Sequence, residues 1–152
     1  YTKMRYTLLI AMLVLLFTAC KKDKFTTAPQ ITFKSLNPDS WVRGTTNDAD
    51  FPFLTVSITD AEGDLGYING KDTSYIYVTN LRTNRFDSLV LPNISQVAKK
   101  NFKADIVVNL KQFLGVPNTT KKDTIYFNVY VKDFAKNKSN VLRTDKPVYY
   151  FP

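Results

Sequence analysis

Three carboxylates alternate along one short stretch of the chain, Asp60, Glu62 and Asp64, with Gly63 between the last two. This spacing places several oxygens around one point, as a hard divalent cation requires. Ca²⁺ takes about six to eight oxygen ligands, so three carboxylates would need partners from elsewhere in the fold. The stretch has no glutamate at the twelfth position of an EF-hand loop, which excludes that motif.

A second polar segment offers those partners. Asp133 adds a carboxylate and Asn137 an amide oxygen. If the strands are antiparallel and alternate in direction, the strand that ends at Asp60 and the strand that ends at Asp133 finish at the same end of the domain. The sequence therefore predicts a Ca²⁺ site built from Asp60, Glu62, Asp64, Asp133 and Asn137.

Two other interpretations of these acids stay open. Asp and Gly are common turn residues, and Asp side chains cap backbone amides. Lys132, Lys136 and Lys138 are close to Asp133 in the sequence and could neutralise the carboxylates without a metal. With neither a metal nor lysines, clustered carboxylates repel each other and raise their own pKa values.

Cys20, the only cysteine, offers a different chemistry. It follows small residues at 18 and 19, an apolar run over 8–17 and basic residues at 3 and 5. This order is typical of an export signal that ends at a lipidation site. We expect residues 1–19 to be removed, Cys20 to carry the lipid and residues 20–28 to form a tether. The apolar run is too short for a membrane anchor, since a helix rises about 1.5 Å per residue and a bilayer core is about 30 Å thick.

Missing residue types exclude most enzyme classes. The chain has no histidine, which excludes Ser-His-Asp and Cys-His nucleophiles and the H-E-x-x-H zinc site. Its five glycines form neither a Walker loop nor a Rossmann pattern. The carboxylate chemistry that remains would need a sugar cleft larger than this scaffold offers. We therefore expect no catalysis.

The charge distribution argues against nucleic acid. Without residues 1–19 the chain keeps 19 basic and 13 acidic groups, a net charge of +6. The two signs are interspersed, and no nucleic-acid-binding motif occurs. We expect attraction to anionic headgroups and no nucleic-acid partner.

Aromatic side chains form the last candidate site. Tyr75 and Tyr77 share one face of a predicted strand, and Tyr130 lies on another strand. Together with Trp41, which follows a turn sequence and is expected in an exposed loop, they could stack sugar rings. Tyrosine is also a favoured strand residue that covers sheets without binding anything. Both interpretations stay open.

Period-two alternation predicts the elements that must position these sites. Seven strands are expected, at residues 31–36, 53–59, 74–81, 85–91, 104–110, 124–133 and 141–150. A short helical turn is expected over 110–114. Seven short strands without long helices predict one domain, 29–152, folded as an all-β, immunoglobulin-like antiparallel β-sandwich.

Several segments of the chain resemble known families. Residues 129–141 resemble the last hairpin of bacterial immunoglobulin-like and cadherin-like domains, written V-x-V-x-D-x-A-G-N-x-S, with Lys136 in place of the glycine. The four residues that end at Cys20 resemble a bacterial lipobox. Together with residues 58–66 and 20–23, the hairpin makes the chain similar to small envelope lipoproteins of Bacteroidetes-type bacteria.

The resemblance implies a lipoprotein of the bacterial outer membrane, held by the lipid on Cys20, with the periplasmic or cell-surface face left open. The expected function is a non-catalytic binding or interaction module, stabilised by Ca²⁺, for a protein or glycan ligand at the envelope. The alternative is a surface glycan-binding accessory protein that uses exposed aromatic residues.

Overall fold

The computed structural model describes residues 25–68, 71–92, 100–115 and 120–152. Cys20 and the predicted signal peptide, 1–19, lie outside these residues. The described strands are β1 (Gln30–Asn37), β2 (Ser40–Val42), β3 (Phe53–Asp60), β4 (Tyr75–Asn80), β5 (Phe86–Val90), β6 (Phe102–Asn109), β7 (Asp123–Ile125), β8 (Phe127–Lys132), β9 (Leu142–Arg143) and β10 (Val148–Phe151).

Helical structure in the described residues is limited to a 3-10 turn, Asp48–Asp50, and one short helix, α1 (Lys111–Leu114). The second confirms the helical turn expected over 110–114. None of the described helices is long and apolar enough to span a membrane.

The structure has more strands than the sequence pattern predicts. The sixth predicted strand is interrupted at Tyr126, and the seventh is interrupted over 144–147. β2 was not predicted, because three residues are too few to show a period-two pattern. These differences change the strand count but leave the fold class as predicted.

The strands form three open sheets, with the orders β1-β3-β6, β5-β4-β8-β9 and β2-β10-β7. Six of the seven described strand pairs are antiparallel, and β2 pairs with β10 in parallel. β7 and β8 are separated by Tyr126 alone, so one run of chain contributes to two sheets. The architecture is the predicted all-β sandwich.

One apolar core fills the space between the sheets. Alternate residues of the central strands point inward and are buried, among them Leu54, Val56, Ile58, Ile76, Val78, Val129 and Val131. Each such side chain contributes roughly 1.5–3 kcal/mol of transfer free energy. This burial orders the fold without a disulfide among the described residues.

The outer side of β3 differs from the sequence expectation. Period-two alternation with the core residues of β3 predicts that Ser57 and Thr59 face solvent, but both are buried. β1 and β6 flank β3 on both sides, and an ion pair of 2.5 Å between Lys34 and Asp105 joins those two strands. The flanking strands therefore shield the middle strand from water.

The register fixes which loops meet. Tyr75, at the start of β4, pairs with both Val90 at the end of β5 and Lys132 at the end of β8. Asp60 ends β3 opposite Phe102, the first residue of β6. We call the end of the sandwich that carries loops 60–64 and 133–137 the acidic end.

Candidate cation site

The two acidic loops meet as the alternating strand directions predict. The backbone N–H of Phe134 donates to the carbonyl of Asp64 at 3.0 Å. The backbone N–H of Ala61 donates to the carbonyl of Thr26 at 3.1 Å, and Gln30 pairs with Thr59. The segment that leads into the domain therefore begins beside the acidic loops.

Asp60, Glu62 and Asp64 bring one carboxylate oxygen each to within 4.8 Å of one another. The turn that brings them together passes through Gly63, whose φ of +69° suits a residue without a Cβ. The N–H of Gly63 donates to Oδ1 of Asp60. A set of oxygen ligands this close can hold a metal ion.

Asp60 is the exceptional member of this cluster, since its exposed fraction is 0%. Its Oδ2 is buried and accepts no hydrogen bond from any described residue. A buried carboxylate oxygen without a partner is costly, because the ionised form loses its water and gains nothing in return.

The electrostatics of the cluster follow from this burial. The pKa of Asp60 is raised to about 6: desolvation raises it most, the Gly63 N–H lowers it, and the charges of Asp64, Glu62 and Asp133 add to the increase. Burial, and then the charge of Asp133, also raise the pKa of Asp64. The site therefore disfavours its own negative charge, and none of its carboxylates forms an ion pair within the part of the chain that the structure describes.

Asp133 and Asn137 lie beside the cluster and bond to each other. The backbone N–H of Asn137 donates to Oδ1 of Asp133 at 2.7 Å, and Nδ2 of Asn137 donates to Oδ2 at 2.9 Å. Asp133 is fully buried, so its role in this structure is to cap the loop it begins. It adds negative charge near the cluster without belonging to the close set of oxygens.

The nearby lysines do not neutralise the acids. Nζ of Lys136 donates to the carbonyl of Thr73 at 3.3 Å. Nζ of Lys132 lies 5.5 Å from the ring centre of Tyr77, and Nζ of Lys138 lies 4.2 Å from that of Tyr130. None of the ion pairs among the described residues involves Asp60, Glu62 or Asp64.

Trp41 contradicts the sequence expectation of an exposed loop residue. It lies in β2, is 6% exposed, and packs against Tyr150 and Phe51 at ring-centre distances of 5.1 and 6.4 Å. The parallel pairing of β2 with β10 draws the indole into the core. Trp41 is therefore not part of an exposed aromatic row.

The three predicted tyrosines do share one face of the four-stranded sheet. Tyr77 stacks on Tyr130 with ring centres 4.6 Å apart and an interplanar angle of 9°. Tyr75 lies 6.2 Å from Tyr77. Phe86, which the sequence analysis missed, stacks on Tyr77 at 5.9 Å and is 54% exposed. The alternation within β5 could have identified Phe86, because it places this residue on the same sheet face as Tyr77.

The fold and the site together define a class: an all-β sandwich domain with an acidic cluster able to hold a metal ion. In comparisons with known proteins, no family model, no curated protein and no solved structure matched this chain.

Proposed function

We propose that this chain is an envelope lipoprotein of the bacterial outer membrane whose sandwich domain is a non-catalytic binding or interaction module stabilised by Ca²⁺. The lipid on Cys20 holds it to the membrane. The main observation in support of a Ca²⁺ site is the buried Oδ2 of Asp60, which has no hydrogen-bond partner among the described residues.

Calcium fits this ligand set better than other common metals. The three close ligands are all carboxylates, and hard oxygen donors suit Ca²⁺, whereas zinc prefers sulfur and nitrogen. A bound ion would give Oδ2 of Asp60 its missing partner and would offset the mutual repulsion that raises the pKa values. Backbone carbonyls and water would complete its coordination.

The position of the site gives the ion a structural role. The carbonyl of Thr26 accepts a hydrogen bond from Ala61, one residue after Asp60. An ion that rigidifies this loop would also fix the segment leading from Cys20 into β1. The domain would then keep a defined orientation relative to the membrane that holds it.

Thermal unfolding of the full chain tests the calcium site, with Ca²⁺ or with excess chelator at equal ionic strength. An ion that binds only the folded state adds about 2.7 kcal/mol of stability at a hundredfold excess over its dissociation constant. Asp60→Asn and Glu62→Gln should each abolish the shift of the midpoint, and the exposed control Asp145→Asn should keep it. Equal midpoints for the parent chain in calcium and chelator would refute the site.

Lipidation is tested separately from the cation. Cells grown with a labelled fatty acid should incorporate the label into the chain, and Cys20→Ser should remove both the label and the membrane association. A Cys20→Ser chain that still sediments with membranes would show that another anchor holds it.

Glycan binding is the second candidate, and the exposed ring of Phe86 beside Tyr77 favours it. The ring faces of Tyr77 and Tyr130 are already stacked on each other, so Phe86 and Tyr75 would supply the free surfaces. Retention on immobilised polysaccharides, lost in Phe86→Ala and kept in the control Val141→Ala, would support this function. Equal retention of both variants would contradict it.

A further inference from the structure

A cavity of about 740 Å³ opens on the side of the sandwich away from the acidic end. Its wall includes Asn109, which pairs with Phe53, at the other end of β3 from Asp60. Sites that bind small molecules commonly have volumes of roughly 300–1,000 Å³. The cavity is thus large enough for a ligand and separate from the candidate cation site.

The apolar part of the wall is preformed. Trp41, Phe51, Leu89 and Leu114 line it. Trp41, Phe51 and Leu114 are buried members of the core, and Leu89 packs against that core. Because the core fixes these side chains, a ligand would meet an apolar surface that need not be ordered on binding.

The charged residues found along the described part of the wall are both positive, Arg85 and Lys111. Nζ of Lys111 is already engaged, 2.5 Å from Oδ1 of Asp48 and 5.2 Å from the ring centre of Phe51. The guanidinium of Arg85 has no ion pair or hydrogen bond with any described residue.

We propose that this cavity binds a ligand with an apolar body and a carboxylate, such as a fatty acid or the free carboxyl end of a hydrophobic peptide. The apolar body lies against Trp41, Phe51 and Leu114, and the guanidinium of Arg85 holds the carboxylate. Arginine suits this task because its planar fork donates two parallel hydrogen bonds to a carboxylate. One unengaged cation in a concave apolar wall favours a single anionic group over an anionic polymer.

This assignment gives a ligand class to the non-catalytic binding role proposed above. It uses no residue of the acidic cluster. The two proposals therefore fail separately: cavity binding should be the same in calcium and in chelator, and the calcium midpoint shift should be the same with or without the cavity ligand.

Trp41 provides the readout, because it is the only tryptophan in the chain and lines the cavity. The full chain, held in lipid nanodiscs, is titrated while tryptophan emission is recorded. The probes are octanoate against octanamide, and acetyl-leucyl-phenylalanine with a free carboxylate against its carboxamide. Nanodiscs without protein correct for partition into lipid, and the two pairs distinguish an acyl from a peptide source.

We expect a saturable change in emission for at least one carboxylate, with roughly tenfold tighter binding than for its carboxamide. Arg85→Gln should reduce this preference to less than about twofold, whereas Lys71→Gln, which removes an equal charge outside the cavity, should preserve it. No saturable response to either carboxylate overturns the proposal. An undiminished preference in Arg85→Gln also overturns it.

Discussion

The side-chain amide of Asn140 forms two hydrogen bonds with the backbone of Ile31, 109 residues earlier in the chain. The N–H of Ile31 donates to Oδ1 at 2.8 Å, and Nδ2 donates to the carbonyl of Ile31 at 2.9 Å. The amide thus occupies the place of a strand neighbour on the free edge of β1. It joins the first strand of the β1-β3-β6 sheet to the segment between β8 and β9 of the four-stranded sheet.

Removing this amide should destabilise the domain measurably. Asn140→Ala loses two hydrogen bonds, each worth about 0.5–1.5 kcal/mol, and exposes the edge of β1. We expect a loss of about 1–3 kcal/mol in the free energy of unfolding, measured by urea denaturation. Asn140→Asp retains the acceptor alone and should lie between the parent and Asn140→Ala. An alanine variant as stable as the parent would show that water replaces the amide.

The raised pKa of Asp60, about 6, predicts a stability that falls as the pH rises in metal-free buffer. The folded state keeps the Asp60 proton between about pH 4 and pH 6, whereas the unfolded chain, with an ordinary pKa near 3.9, releases it. Because the folded state binds more protons in this window, the free energy of unfolding should decrease by up to roughly 3 kcal/mol across it.

Urea denaturation at a series of pH values checks this dependence. Asp60→Asn should flatten the decline, since its amide does not titrate, while Asp145→Asn should retain it. A parent profile that rises with pH over the same window would contradict the burial of an unpartnered Asp60.

Lys136 predicts a stabilising substitution. Its φ is +68°, in the left-handed region, which costs a non-glycine residue about 1–2 kcal/mol. Lys136→Gly should relieve that cost, partly offset by the greater freedom of glycine in the unfolded chain and by the loss of the exposed hydrogen bond to Thr73. We expect a net gain of about 0.5–1 kcal/mol in thermal or urea unfolding.

Lys138→Gly is the matched control. Lys138 lacks a positive φ and lies over the ring of Tyr130, so this substitution should destabilise the domain. If both glycine variants were destabilised equally, backbone strain at Lys136 would not determine the change in the free energy of unfolding.

The stacked rings of Tyr77 and Tyr130 should be energetically coupled. These residues are directly opposite each other in β4 and β8, and cross-strand aromatic pairs contribute about 0.5–1.5 kcal/mol beyond their buried area. A double-mutant cycle with Tyr77→Leu and Tyr130→Leu should recover a coupling of that size. Thr79 and Asn128, another opposite pair on the same strands, provide the comparison and should couple by less than about 0.5 kcal/mol.

Much of the fold could be predicted because local alternation reports burial. Ile125, Phe127, Val129 and Val131 alternate with polar residues, and the structure buries all four. The meeting of the two acidic loops could also be predicted, since antiparallel strands that alternate in direction bring every second strand end to the same end of the domain. Local patterns therefore predicted the type of most elements, with β2 as an exception.

The resemblance to a glycine-containing hairpin also had a physical meaning. The position at which that pattern has glycine is Lys136 here, and the structure gives it a positive φ. The glycine of the pattern indicates a turn that requires a positive φ. In this chain Lys136 adopts that conformation at a cost in backbone strain. The sequence pattern identified position 136 as unusual. The positive φ of Lys136 shows that the backbone there adopts a conformation that favours glycine.

The surroundings of individual side chains were decided by tertiary structure. Trp41 follows a turn sequence, and nothing local indicates that a three-residue strand will pair with the last strand and bury the indole. The unpartnered Oδ2 of Asp60 and the engagement of Lys132 and Lys136 away from the acids also depend on neighbours distant in sequence. Residue type and spacing determined which side chains could bind a cation or a ligand. Their burial and their hydrogen-bond partners set their pKa values and their ability to bind, and these arise only when separate segments of the chain pack together.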